Sequence, residues 1–267
     1  MTSCPDIRSS EPGGWHTHWL LVALILLGWV YALAQVLTLD TPVSLAEAGP
    51  GMQIFAFIKA YVFGDPFAFE SSLSFCSSAK GIWGVADVLK SAAMWLGMIL
   101  AMMLPVLLPL NHNASMRPRS SIVTSAKLAG YISAWLPFCA MAVVAQWALQ
   151  RAGLLSAHQV LQHDGLSAAI LLFVALVYLS RTFMPHKLKM QATEHDQSYC
   201  AGLYYGRYCQ RCCGPLMIVM FITGLMNMVA MLVFTLLMVG TMSGYNRPLS
   251  IAIGMAGLAG ATGFAVM

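Results

Sequence analysis

Four cysteines fall within fourteen residues, Cys200, Cys209, Cys212 and Cys213, and the last three stand directly before Pro215 and a long apolar run. Thiolates and thioethers are soft donors, and soft donors select Cu(I) over hard cations. The spacing Cys209-x-x-Cys212 lets two sulfurs converge on one ion, and Cys213 offers a third. A low-coordinate thiolate set suits Cu(I), whereas a tetrahedral set accommodates zinc. Arg207 and Arg211 lie beside the thiols, and positive charge favours the thiolate. Pro215 is placed to open a helix, whose free N–H groups would favour the thiolate further. The competing use is as free or palmitoylated juxtamembrane cysteines. One CxxC alone is weak, but four cysteines in so short a stretch are hard to attribute to packing.

The run after Pro215 carries Met217, Met220, Met228, Met231, Met238 and Met242 at three- and four-residue steps, completed through Gly224 and Thr235. On one continuous helix these side chains share a face. Met94, Met98 and Met102, each four apart, repeat the pattern on an earlier segment. If the two faces meet, thioethers line a shared seam able to hold Cu(I); the alternative is plain gap-filling, for which methionine is well suited. Asn227, in the middle of the later run, needs a partner inside the bundle, and a carbonyl freed near Pro105 is the expected one. Auxiliary donors are Met190 and Cys200 before the cluster, and His112 with Met116 on the same expected side. His16-x-His18 with Cys4 is a further, weakly specific group.

These donors need elements to hold them. The chain is 59% hydrophobic and 9% charged with a mean hydropathy of +0.73, against about 25% charged residues in soluble domains. Long continuous apolar runs without strand alternation predict an all-α, polytopic transmembrane helix bundle of about six spans. The segments are 19–38, 88–110, 122–149, 166–183, 215–241 and 249–266. They form a single integral membrane domain, 1–267, with an N-terminal arm, 1–18, and a first helix that is retained. A long first loop, 39–87, contains an interfacial aromatic segment at 54–63. The glycines and alanines of the last segment lie on nearly every face, which predicts enclosure by protein in the bundle or a homo-oligomer.

Orientation follows from lysine and arginine. With six spans, nine fall on the side of the termini and the cysteine stretch, and five on the other. Both termini and the cysteines are therefore expected in the cytoplasm, where thiols stay reduced. The net charge of +4 is scattered and points to no nucleic-acid partner. No Walker loop, G-x-S-x-G or H-E-x-x-H is present, and intramembrane carboxylates are essentially missing, so no catalytic residues are assigned.

Residues 101–105, Ala-Met-Met-Leu-Pro, together with Gly206-x-x-Cys209-x-x-Cys212-Cys213 and Gly224-x-Met226-Asn227, form a set. It resembles a bacterial domain-of-unknown-function family described as predicted metal-binding integral membrane proteins. That family also has a Pro-Leu-Lys-x-x-Cys stretch, which residues 185–190 resemble with Met190 in place of cysteine. It has a tryptophan after the cysteine pair and an acidic-basic pair closing the fifth helix, where this chain has Gly214-Pro215 and Gly240-Thr241. The resemblance implies a divergent member in a bacterial inner membrane, handling a copper-type metal.

The expected function is binding of a soft metal, Cu(I) first and zinc second, for copper transport, delivery or copper-enzyme assembly. Cys209, Cys212 and Cys213 are the acceptor ligands, Cys200, Met190 and His112 auxiliaries, and Met94, Met98, Met102, Met228 and Met231 internal thioethers. Two other classes remain: a membrane thiol-disulfide oxidoreductase built on Cys209 and Cys212, and an accessory subunit docking other membrane proteins through its small-residue helix.

Overall fold

The computed structural model describes residues 14–37, 83–107, 125–155, 160–181, 198–225, 227–243 and 247–266. Apart from one isolated bridge between Leu155 and Leu161, the regular structure among them is helical. The helices are α1 Gly14–Leu37, α2 Val85–Met103 running on as a 3-10 turn Leu104–Leu107, α3 Ser125–Arg151, α4 Asp164–Arg181, α5 Tyr199–Thr223, α6 Met228–Ser243 and α7 Arg247–Val266. By length and composition, Trp19–Val36, Val85–Leu107 and Ser125–Arg151 can cross a membrane, while Asp164–Ser180, Met228–Met242 and Pro248–Phe264 are shorter apolar helices. Among the described residues, three helices are thus long and apolar enough to cross, where about six spans were expected. The interfacial segment 54–63 lies outside the described residues.

Close contacts fix the directions of the helices. Gly28 backs onto the Ala101 backbone while Gly97 meets the Tyr31 ring, so α1 and α2 run antiparallel. Ser91 of α2 donates to Gln146 of α3 over 2.6 Å, and Tyr131 of α3 donates to the Met103 carbonyl over 2.9 Å, so these two are also antiparallel. Gly202 of α5 lies against the Lys127 backbone and Gly206 against Tyr131 and Ala134, so α3 and α5 run parallel in backbone contact. Without a Cβ at these glycines the helices approach closely enough to bury one face of the first half of α5, through Gly202, Tyr205, Gly206 and Cys209. Gly254 and Gly260 of α7 meet Leu179 and Leu171 of α4, an antiparallel pair.

The expected fifth span, 215–241, is two helices. Its methionine row does not lie on one continuous face. Gly224 takes φ 96°, outside the helical region and open to glycine, and ends α5. Asn227 then serves both helix ends: its Nδ2 donates to the Thr223 carbonyl over 3.1 Å, and its Oδ1 accepts from the Ala230 amide over 3.0 Å. These two bonds make Asn227 a cap between the helices. Past this turn the chain reverses. Phe221 packs on Trp95, ring centroids 5.5 Å apart, and α6 then runs along α2 as far as the 3-10 turn. Composition hides the break, because the residues on both sides of Asn227 are apolar throughout.

One further expectation changes. Pro215 does not open a helix. It sits inside α5, which starts at Tyr199 with Ser198 as N-cap, its hydroxyl accepting from the Ala201 amide over 3.2 Å. Cys209, Cys212 and Cys213 are therefore inside a helix and not at its mouth, and helix-start amides do not act on them. The small-residue helix α7 is buried only on the side facing α4, through Gly254, Gly257 and Ala261, and exposes Ile251, Met255 and Leu258.

Candidate metal centre

A helix returns to the same face after four residues, so α5 presents Cys209 and Cys213 together. Their sulfurs are 3.8 Å apart, and both residues are fully buried, at 0% exposure. The expected first partner of Cys209 was Cys212, with Cys213 as a third donor; the close sulfur contact seen is with Cys213. Cys212 is half-buried, and its carbonyl accepts a 2.7 Å hydrogen bond from the Tyr178 hydroxyl of α4. Cys209, Cys212 and Cys213 are free thiols. Cys200, near the start of α5, is disulfide-bonded, so its sulfur is committed elsewhere. Met190 and His112 lie outside the described residues.

The cysteine pair has a neighbour that composition does not mark. The Tyr131 hydroxyl, from α3, lies 3.2 Å from the Cys209 sulfur and 2.9 Å from the Met103 carbonyl. Tyr131 is itself buried, and a buried phenol needs a partner for its O–H. With Cys209 as a thiol, the hydroxyl donates to Met103 and its oxygen accepts from S–H. With Cys209 as a thiolate, the hydroxyl can turn its proton to sulfur. A tyrosine inside an apolar segment was the available signal for this role.

At a metal–sulfur distance of about 2.3 Å, sulfurs 3.8 Å apart subtend about 111° at a shared ion, whereas a linear arrangement needs about 4.6 Å. The pair is thus spaced for a bent site closed by a third donor. Among the described residues no group of three or more His, Cys, Asp or Glu is placed to hold a metal. Any third donor there comes from outside that set, and the interior is rich in one class. Met94, Met98, Met102, Met103, Met217, Met220, Met228, Met231 and Met238 are all buried.

The two methionine faces do meet. Met94 and Met98 of α2 and Met228 and Met231 of α6 line one cavity of ≈ 10 Å³, with Tyr31 and Gln35 of α1 on its wall. Met102, one turn further along α2, is fully buried but does not line it. It precedes Met103, whose carbonyl leads through Tyr131 to Cys209.

Compared with known proteins, residues 92–263 match the model of the family PpoB2, described as a copper chaperone. The match runs from α2 through α7 and takes in both the cysteine pair and the methionine-lined cavity. No curated protein and no solved structure matches the chain.

Proposed function

The chain belongs to the PpoB2 copper-chaperone family, and we propose that it is an integral membrane protein of the bacterial inner membrane that binds Cu(I) for delivery to, or assembly of, a copper enzyme. The observation that carries this reading is the buried Cys209–Cys213 pair, with its sulfurs 3.8 Å apart. Soft sulfur in a water-poor core favours a polarisable monovalent ion. Zinc fits less well, since a closed zinc site wants four donors of the nitrogen, thiolate or carboxylate kind, and no such group assembles among the described residues. The core thioethers, Met102 among them, stand as a soft environment for the ion.

Membrane integration is supported by what the helices expose. Leu26, Leu27 and Val30 on α1, Met141 and Val144 on α3, Leu176 on α4 and Leu236 on α6 are each more than half exposed. Exposed apolar side chains on one helix after another suit lipid as the solvent. The accompanying partners are the lipid bilayer and the membrane proteins that give and take the ion.

Copper per chain, measured by mass spectrometry on protein purified gently under reducing conditions, tests the reading. Wild type is expected to carry copper, and C209S/C213S to lose one equivalent. A wild-type protein that stays metal-free, and takes up no Cu(I) when offered it, overturns the proposal.

A further inference from the structure

The methionine-lined cavity is a different kind of place from the cysteine pair. Methionine is the residue best able to flex into an irregular gap, and unfilled space in a packed core costs stability. Yet Met94, Met98, Met228 and Met231, with Tyr31 and Gln35 of α1 beside them, leave open a space of ≈ 10 Å³. That is about the volume one water-sized sphere needs, enough for a single small species. Soft sulfur on this scale fits one monatomic soft cation. The turn that separates α5 from α6 is what puts two of the four methionines here, and Leu225 of that turn also lines the cavity.

We propose that this cavity is a second Cu(I) station, ligated by thioethers alone and distinct from the Cys209–Cys213 station. The inference rests on the copper reading above and deepens it by giving the cargo two sites of different chemistry. Along α2, Met94 and Met103 are nine residues apart, which at the helical rise is about 13 Å. Met103 marks the cysteine level through Tyr131, and Met94 the cavity level. Between them run Met98 and Met102. An ion can therefore step between a thiolate site and a thioether site through fully buried sulfur.

The two sites differ in proton count. Loading the cysteine pair releases up to two protons, since both thiols must ionise, and so weakens by as much as about a hundredfold per pH unit on acidification. A thioether has no proton to lose, so the cavity site loads independently of pH. Neither step changes the oxidation state of the ion or of sulfur.

The test uses full-length protein and Ag(I), a soft monovalent ion that air does not oxidise, with Cu(I) X-ray absorption as the second readout. Wild type is expected to bind two equivalents. C209S/C213S keeps one, with a thioether-only absorption edge and an affinity that does not change with pH. M94L/M228L, whose near-isosteric side chains preserve packing, also keeps one, now thiolate-type and pH-dependent; that retained equivalent reports an intact fold. If M94L/M228L binds as much as wild type, the second station is overturned and the cysteine reading stands. If C209S/C213S binds as much as wild type while M94L/M228L loses an equivalent, the cysteine reading fails and the cavity stands. No binding by wild type overturns both.

Discussion

At the scale of single residues, the contact that most deserves perturbing is the one between Tyr131 and Cys209. The hydroxyl is 3.2 Å from the sulfur and 2.9 Å from the Met103 carbonyl. As a thiolate, Cys209 gains a charge-assisted hydrogen bond, worth about 1.5–3 kcal/mol; as a thiol it gains much less. Tyr131→Phe therefore penalises the metal-ready form more than the protonated one. We expect it to weaken Cu(I) at the cysteine pair by about tenfold, near 1.4 kcal/mol. Titration against a chromophoric Cu(I) chelator measures this, and a shifted thiolate-to-copper absorption band separates it from a general loss of fold. An unchanged affinity removes Tyr131 from the site. The soft donors themselves were legible in the sequence as residue types. Which sulfurs pair was not, because Cys209-x-x-Cys212 and Cys209-x-x-x-Cys213 are both compatible with one helix face. Tertiary packing sets the surroundings of the pair, with Tyr131 of α3 against the Cys209 sulfur.

At the scale of elements, α5 is positioned by its glycines. A Cβ at Gly202 would run into the Lys127 carbonyl, and one at Gly206 would come within 2.5 Å of the Ala134 methyl group. A Cβ at Gly214 would meet only the Phe138 ring edge, at 3.7 Å. Gly202→Ala should thus push α5 off α3 at a cost of about 1–3 kcal/mol, and move Cys209 away from Tyr131. Gly214→Ala should be tolerated. Thermal unfolding in detergent, read beside Cu(I) affinity, distinguishes the two; equal melting for both variants would show that the α3–α5 approach is not tight. This packing explains why Pro215 misleads as a helix start. Local propensity places it at the first turn, but burial of the Gly202–Gly206 face draws the preceding residues into the helix as well. The apolar runs themselves were readable, since hydropathy needs no partner. The reversal at Gly224–Asn227 was not. One glycine and one asparagine in an unbroken apolar stretch carry too little contrast to reveal a turn, and the capping role of Asn227 emerges only from its two hydrogen bonds.

At the scale of the whole molecule, that reversal adds a helix to the count and changes which end each later segment occupies. With α1 to α7 alternating in direction, Arg247 moves to the end where α1 begins. With Arg207 and Arg211 set aside because they lie within α5, lysine and arginine then divide eight to four, where six spans counted the same way give seven to five. A sharper asymmetry is what a correct topology should produce, so the α1 start is proposed to face the cytoplasm and the α7 end the opposite side. One observation opposes this. Cys200 lies at the positive end and is disulfide-bonded, and disulfides do not persist in a reducing cytosol. The charge division sums over twelve side chains, whereas the bond is a single feature, so the charge carries more weight. Labelling intact cells with an impermeant thiol reagent decides, using single cysteines introduced at Ala152, beside the end of α3, and at Ser198, before α5, in a cysteine-free background. Ala152 should label and Ser198 should not. The reverse pattern would put the start of α5 outside, make the Cys200 bond stable, and turn the route of copper through the bundle around.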